Sequence, residues 1–173
     1  DNCKQKFGAS FFIKDTCSGS SNNIYLISNS SDYIEFTNQC DSNREYMIEE
    51  KITADEYTAA IIHGCILPII RIIPGNIFYD YDAKYKSDLT KFTFPEIEQE
   101  TRIILNNTIR KAYNIIGCTH WGRLDFFIKN KEIILLELNT IPGMTDHSLV
   151  PKAAKKNGIS YYQLLTKILD IND

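Results

Sequence analysis

The sequence lacks long runs of like charge and any apolar stretch long enough to cross a bilayer. The net charge is −3 over 173 residues, and without a basic or acidic block it does not favour a nucleic-acid partner. An apolar run that begins at Cys65 is interrupted by Pro68 and followed by Arg71, well short of the roughly 20 residues that a spanning helix needs. We expect neither nucleic-acid binding nor a membrane span.

The cysteines lack the spacing of a disulfide framework or a zinc site. There are 5, an odd number, and no two form a C-x-x-C pair, so reduced thiols in a cytoplasmic protein are the simplest interpretation. A starting methionine and a charged-then-apolar leader are also missing, because the chain opens on Asp1. We therefore expect no signal peptide and a fragment of a longer protein.

Short β-rich segments bounded by polar clusters dominate the first half of the chain. The clusters 18–23 and 28–32 are typical of loops. His63-Gly64 has the composition of a hairpin turn. Strands are predicted at 24–27, 45–52, 57–62 and 65–73.

Helical spacing is confined to the second half. After Pro95, which a first helical turn tolerates, apolar residues recur at helical spacing from Ile97 to Ile116, and Gly117 ends the run. A short helix is predicted at 152–156, and Ser160 with Gln163 forms a capping box for a last helix at 161–170. The expected fold class is α+β, with antiparallel sheets and flanking helices.

A second predicted hairpin, 124–128 with 133–138, carries polar pairs. Because side chains two apart on a strand share a face, Arg123 lies with Asp125 and Glu137 with Asn139. Both pairs share one face only if Asp125 is opposite Glu137, which requires an odd-length loop or a bulge. We predict that a plain two-residue turn at 130–131 does not occur.

The carboxylates of Asp125 and Glu137 and the amide of Asn139 are hard oxygen ligands of the kind that Mg²⁺ prefers, with nucleotide phosphates among the other ligands. The alternative is a plain Arg123–Asp125 salt bridge, with Glu137 and Asn139 facing water. After the strand, a Pro-Gly turn allows the backbone N–H of Gly143 to approach a ligand closely, as in an oxyanion site.

Three segments together resemble the D-alanine–D-alanine ligase family of the ATP-grasp superfamily: GRLDF at 122–126, LELNTIPGMT at 136–145 and SLVPKAA at 148–154. The resemblance extends upstream through FYDYDAKY at 78–85 to FIK at 12–14 and spans essentially the whole chain. It implies an ATP-grasp fold without its N-terminal domain. Residues 1–54 would be a remnant of the central ATP-binding subdomain and 55–173 the C-terminal catalytic domain.

The resemblance also implies how the nucleotide is held. Lys14 and Lys84 match lysines that grip the ATP phosphates. Glu49 and Glu56 match acidic positions that hold the adenine amine and the ribose hydroxyls, and Phe78 would lie against the adenine ring.

For catalysis, the resemblance implies two Mg²⁺ ions, with Mn²⁺ as a possible substitute. Asp125 and Glu137 would hold one ion, and Glu137 and Asn139 the other. Arg123 and the Gly143 amide would stabilise the oxyanion that forms when an amine attacks an acyl phosphate.

Further implied roles concern D-alanine and loop closure. Ser148 and Leu149 would position the carboxylate of the second D-alanine, while Ser20 and Tyr85 would hydrogen-bond each other to close a loop over the site. ATP would phosphorylate the first D-alanine, and the amine of the second would displace phosphate, giving D-alanyl-D-alanine for peptidoglycan. Tyr85 favours alanine over lactate as the second substrate.

The chain departs from the family pattern at two positions. Asp15 follows Lys14 where proline is usual, which places a carboxylate beside the proposed phosphate cation. Asn23 stands where the family has glycine, although asparagine tolerates a positive φ.

Two other functions stay open: a different ATP-grasp carboxylate–amine ligase, or a nucleotide-binding module without catalysis. The resemblance also implies a full-length parent that is a homodimer.

Overall fold

In the computed structural model, residues 2–18, 23–74 and 90–170 are described. They divide into two compact units, one running to Thr53 and the other formed by Ala54–Pro74 with the residues from Thr90 onward. The sequence predicted a boundary between residues 54 and 55. The identity of the first unit as a remnant of a larger subdomain stays a prediction.

Unit 1 is a small antiparallel sheet with helices. Its strand order is β2-β1-β3, and its core contains Phe11, Ile13, Ile27 and Phe36. The elements are α1 (Asn2–Phe7), β1 (Phe11–Asp15), β2 (Ile24–Ile27), α2 (Ser30–Gln39) and β3 (Tyr46–Glu50).

Helix α2 begins within the predicted polar loop 28–32 and was not predicted from the sequence. Asn29 caps it by accepting a hydrogen bond from the backbone N–H of Asp32, whose carboxylate accepts from the Asn29 N–H in return. Only Phe36 of this helix is buried, so there is no apolar stripe to reveal a helical period. The polar residues that indicated a loop are the cap.

Unit 2 is built on a larger sheet in which all described strand pairs are antiparallel. The strand order is β7-β6-β4-β8-β9, with β5 paired to β4. The strands are β4 (Asp55–Ile62), β5 (Cys65–Ile66), β6 (Ile70–Ile73), β7 (Lys91–Thr93), β8 (Trp121–Lys129) and β9 (Glu132–Asn139). The helices are α3 (Gln99–Ile115), α4 (Leu149–Lys156) and α5 (Tyr161–Ile168).

Helix α3 covers one face of this sheet. Its buried residues Leu105, Ile109 and Tyr113 pack in one cluster with Leu124 and Phe126 of β8. Leu105, Ile109 and Phe126 are fully buried, and the opposite face of β8 is left for Arg123 and Asp125 because side chains alternate along a strand.

Several predicted boundaries differ from the observed ones around proline. Helix α3 begins at Gln99, so Pro95 precedes it and does not lie in its first turn. The predicted strand 65–73 is divided into β5 and β6 on either side of Pro68, which has no N–H to donate to a ladder. Helix α4 begins earlier than predicted, because Pro151 fits its first turn.

Turn and cap chemistry was predicted more successfully. The His63-Gly64 hairpin is confirmed, with Ile62 paired to Cys65 and positive φ at both turn residues. The Ser160–Gln163 capping box of α5 is confirmed in both directions. Within the described ranges, none of the helices is long and apolar enough to cross a membrane.

The β8–β9 hairpin combines a turn that was predicted not to occur with the bulge that was predicted as an alternative. Residues 130–131 form a two-residue turn with φ of 51° and 69°, and Lys129 pairs with Glu132. The register then shifts, because Phe126 pairs with Leu135 but Asp125 pairs with Glu137. Leu136 is therefore the extra residue of a bulge. The prediction about the turn was wrong, while the pairing of Asp125 with Glu137 is as predicted.

Candidate active site

A buried carboxylate lies at the centre of the polar group on β8. Asp125 is 3% exposed, and Arg123, two residues earlier on the same face, grips both of its oxygens. The Arg123 Nε donates to Oδ1 at 2.9 Å and Nη2 donates to Oδ2 at 2.7 Å. Such a bidentate, charge-assisted contact fixes both side chains.

The partner strand β9 contributes the other polar pair. The side-chain amide of Asn139 donates to Asp125 Oδ2 at 3.3 Å and to Glu137 Oε1 at 3.2 Å. Arg123 is paired with Asn139, and Asp125 with Glu137, in the strand register. The structure thus brings together the four side chains that the sequence placed on one face.

Thr58 completes this group and was missed from the sequence. It lies on β4 directly opposite Asp125, is 1% exposed, and its Oγ1 donates to Asp125 Oδ1 at 2.5 Å. The only signal was a hydroxyl in an otherwise apolar strand, and its meaning depends on knowing that β4 pairs with β8.

The donor set around Asp125 bears on metal binding. Its two oxygens accept from Arg123 twice, from Thr58 and from Asn139, which uses the roughly four lone-pair sites of a carboxylate. An ion that binds Asp125 therefore has to replace one of these donors. A bound cation would most simply replace Arg123, because the cation would supply the positive charge that Arg123 now provides.

The residues present fit a hard cation, provided that the amide of Asn139 presents its oxygen. Asp125, Glu137 and Asn139 offer oxygen atoms alone, the ligands that suit Mg²⁺. In residues 2–18, 23–74 and 90–170, no group of three or more His, Cys, Asp or Glu side chains is placed to hold a metal. Asp125 and Glu137 alone are fewer than such a group, and Asn139 is the third oxygen ligand that these described residues offer. The alternative Arg123–Asp125 salt bridge is present and Glu137 is exposed, as that alternative expects. Asn139 departs from it, because its side chain is half-buried and donates to Asp125.

The loop after β9 brings Gly143 against Ser148. A Cβ on Gly143 would lie 3.0 Å from the Ser148 Oγ, so a larger residue would displace this hydroxyl. Ser148 Oγ accepts from the Thr145 N–H at 3.0 Å and lies 3.0 Å from the Thr145 Oγ1. Thr145 is thus a further residue of this loop that the sequence did not single out.

Ser148 and Leu149 mark the start of helix α4. Ser148 is the N-cap residue, and Leu149 is 7% exposed, so its side chain belongs to the core and its backbone N–H lies in the first turn. Backbone N–H groups at a helix start favour a negative charge. This end of α4 can therefore receive a carboxylate.

In unit 1, Lys14 and Glu49 form an ion pair across neighbouring strands. The register places Glu49 opposite Phe12 and Met47 opposite Lys14, so the pair is diagonal. The proposed phosphate cation and adenine-amine acceptor thus lie together. Their roles stay predictions.

Glu56 is the remaining candidate that the described residues include. Glu56 lies on β4, between Ile72 and Phe127 in the strand register, and is half-buried. Ser20, Phe78, Lys84 and Tyr85 lie outside the described residues.

The expectation that Asp15 lies beside the phosphate cation is wrong. Lys14 and Asp15 are successive residues of β1, and Asp15 shares the buried face with Phe11 and Ile13. Hydrogen bonds from the Cys17 N–H, the Ser18 hydroxyl and Arg44 hold the pKa of the Asp15 carboxyl well below its usual range. Asn23 adopts a φ of 55°, which agrees with the expectation that asparagine tolerates a positive φ at this position.

Comparison with known proteins gives consistent matches over this chain. The family model for the D-ala D-ala ligase C-terminus matches residues 1–170. The chain is 33% identical over 169 residues to the D-alanine–D-alanine ligase of Haemophilus ducreyi, covering 96% of this chain and 56% of that protein. It is 39% identical over 170 residues to that of Paraburkholderia phymatum, covering 95% and 54%.

Solved structures agree. The D-alanine–D-alanine ligase of Bacillus anthracis matches with a TM-score of 0.83 and 32% identity, over 96% of this chain and 55% of that one. A D-Ala:D-Ser ligase from Enterococcus faecalis matches with a TM-score of 0.74 and 30% identity, over 93% and 49%. The chain spans about half the length of these relatives.

We predict that Thr58→Val destabilises the fold by about 1–3 kcal/mol, because it removes a donor from a buried carboxylate while keeping the shape of the side chain. Urea unfolding measures this change. Thr58→Ser, which keeps the hydroxyl, is the matched control and should cost less. A larger loss in Thr58→Ser than in Thr58→Val would show that the methyl group, and not the bond to Asp125, is what matters.

Proposed function

The chain belongs to the D-alanine–D-alanine ligase family, and we propose that it is the C-terminal part of an ATP-dependent enzyme that joins two D-alanines for peptidoglycan. The observation that carries this proposal is the convergence of Arg123, Asp125, Glu137 and Asn139 on one face of a bulged hairpin. These are the residues that the family resemblance assigns to charge neutralisation. Antiparallel sheets with flanking helices are the expected ATP-grasp architecture.

The proposed reaction has two steps. The carboxylate of the first D-alanine attacks the γ-phosphorus of ATP, giving an acyl phosphate and ADP. The amine of the second D-alanine then attacks the acyl carbon, and phosphate leaves. Because no side chain has to act as a nucleophile, the protein contributes positioning and charge.

Arg123 has the central role in the second step. Its guanidinium now satisfies Asp125, and when the carboxylate is otherwise neutralised it can donate to the oxyanion at the acyl carbon, together with the Gly143 N–H. Asp125, Glu137 and Asn139 would hold Mg²⁺, which when bound neutralises phosphate charge. In unit 1, Lys14 and Glu49 would contact ATP.

The second D-alanine would be held at the start of α4. The Ser148 hydroxyl, positioned by Thr145, and the Leu149 N–H would bind its carboxylate. This contact orients the amine for attack, which lowers the entropic cost of bringing two substrates together.

The cellular setting is inferred from the family and the cysteines. All of Cys3, Cys17, Cys40, Cys65 and Cys118 are free thiols, as is usual in the cytoplasm. We infer a cytoplasmic enzyme that acts as a homodimer in its full length.

A second candidate differs in the second substrate. A solved D-Ala:D-Ser ligase matches this chain at 30% identity, so the same framework is compatible with D-serine. Stimulation of ADP release by D-serine and not by excess D-alanine would favour that candidate. Binding of Mg²⁺–ATP without phosphate release would indicate a nucleotide-binding module.

We predict that a chimera in which this chain replaces the matching part of the Paraburkholderia phymatum relative releases ADP in a D-alanine-dependent manner. Glu137→Gln in that chimera should lower kcat by more than about 100-fold, since even outer partners of metal ligands contribute 10–100-fold. Coupled ADP release measures this. Glu132→Gln, at the start of the same strand, is the control, and an equal loss there would contradict the role of Glu137.

We also predict that Arg123→Ala tightens Mn²⁺ binding to the chain by about tenfold without nucleotide, because it removes a cation that competes for Asp125. Titration with Mn²⁺ followed by electron paramagnetic resonance measures the affinity. Arg71→Ala breaks an exposed pair with Asp55 and should change nothing. Weaker Mn²⁺ binding in Arg123→Ala would contradict competition at Asp125.

A further inference from the structure

The buried carboxylate of Asp15 is the second polar centre of this chain, and no role implied by the family resemblance uses it. Its side chain is 0% exposed at the end of β1. Proline, which the family pattern has at this position, would leave no charge here. A buried charge is costly unless its partners satisfy it, so its surroundings require an explanation.

The partners of Asp15 come from both flanks of the segment 19–22. On the leading side, the Cys17 N–H donates to Oδ1 at 2.8 Å and the Ser18 hydroxyl to Oδ2 at 2.7 Å. On the trailing side, the Asn23 side-chain amide donates to Oδ2 at 3.4 Å and to the Ser18 Oγ at 3.0 Å. One carboxylate therefore joins the two flanks.

Backbone contacts reinforce this junction. The Asp15 N–H donates to the Asn23 carbonyl at 3.2 Å, and the Thr16 N–H donates to the Glu45 carbonyl at 3.0 Å. Asn23 makes its contacts from a φ of 55°, where asparagine is tolerated. Glycine at this position would allow the same backbone conformation but would supply no side-chain amide to donate to Asp15 and Ser18.

Arg44 provides the charge that balances Asp15. Its Nη1 forms an ion pair with Asp15 Oδ2, and its Nε lies 3.5 Å from the Asp41 carboxylate. Arg44 is half-exposed, at 47%. Because Arg44 offsets Asp15, the carboxylate does not cancel the positive charge of Lys14, which projects from the other face of β1.

We propose, building on the ligase function above, that Asp15, Ser18, Asn23 and Arg44 form a polar clamp that positions residues 16–18, residue 23 and the end of β1 that carries Lys14 for nucleotide phosphates. In the family pattern, proline stands at position 15 and restricts the backbone, and glycine stands at position 23 and permits a positive φ. In this chain, hydrogen bonds of Asp15 and Asn23 hold the backbone instead. These four residues are positioning residues, since they act through the backbone that they hold and through the strand end that carries Lys14.

The test compares ligands with and without phosphates. Isothermal titration of this chain would give dissociation constants for Mg²⁺ with a non-hydrolysable ATP analogue and for adenosine alone. Arg44→Ala should raise the dissociation constant of the ATP analogue by about tenfold, because a buried charged hydrogen bond loses its partner. The dissociation constant of adenosine should not change. Arg44→Lys should recover part of the affinity.

A double variant separates electrostatics from misfolding. Asp15→Asn with Arg44→Ala removes both charges, so it should bind the analogue more tightly than Arg44→Ala alone. Arg71→Ala, which breaks another Arg–Asp pair, is the matched control and should match the wild type. Circular dichroism checks that each variant is folded.

The outcomes are distinguishable. Analogue binding by the wild type with an unchanged affinity in Arg44→Ala overturns the clamp and leaves the proposed function intact. Equal weakening of the analogue and adenosine, or equal weakening in Arg71→Ala, also overturns it. Failure of the wild type to bind the analogue overturns the nucleotide-binding part of the proposed function, and the clamp with it.

Discussion

The bidentate hydrogen bond between Arg123 and Asp125 is the interaction on which the candidate site depends. Asp125 lies inside a six-stranded sheet, where an ionised carboxylate is tolerated only with full pairing. Arg123, Thr58 and Asn139 provide that pairing from three neighbouring strands. The same contacts hold the side chains close enough to act on one substrate, so the requirement for stability and the geometry proposed for catalysis coincide.

The register of β8 and β9 brings these side chains together. The sequence predicted which residues are opposite each other, but not the turn and bulge that set this pairing. Alternation along each strand was enough to place Asp125 opposite Glu137. It was not enough to show how, because a two-residue turn at 130–131 and a bulge at Leu136 together give the same pairing as an odd-length loop. Alternation along a strand indicates only which side chains share a face of the sheet. A bulge depends on local backbone geometry, which individual residue types indicate only weakly.

Elements with a clear apolar period or a cap sequence, such as α3 and the capping box of α5, were predicted from the sequence. Helix α2 was not, because it buries only Phe36 and its cap residues look like a loop. Thr58 and Arg44 were also missed, since each acquires its role from a partner that is remote in the chain. Asp15 was assigned to the wrong surroundings because neighbours in sequence project from opposite faces of a strand.

The central claim is that the face of the bulged hairpin receives the divalent ion that accompanies ATP. Paramagnetic relaxation by Mn²⁺, added with a non-hydrolysable ATP analogue to the isotope-labelled chain, locates that ion most directly. The account predicts that the backbone amide signals of residues 123–125 and 137–139 broaden first as Mn²⁺ is added. Undiminished signals there, with broadening centred on another part of the chain, would contradict it.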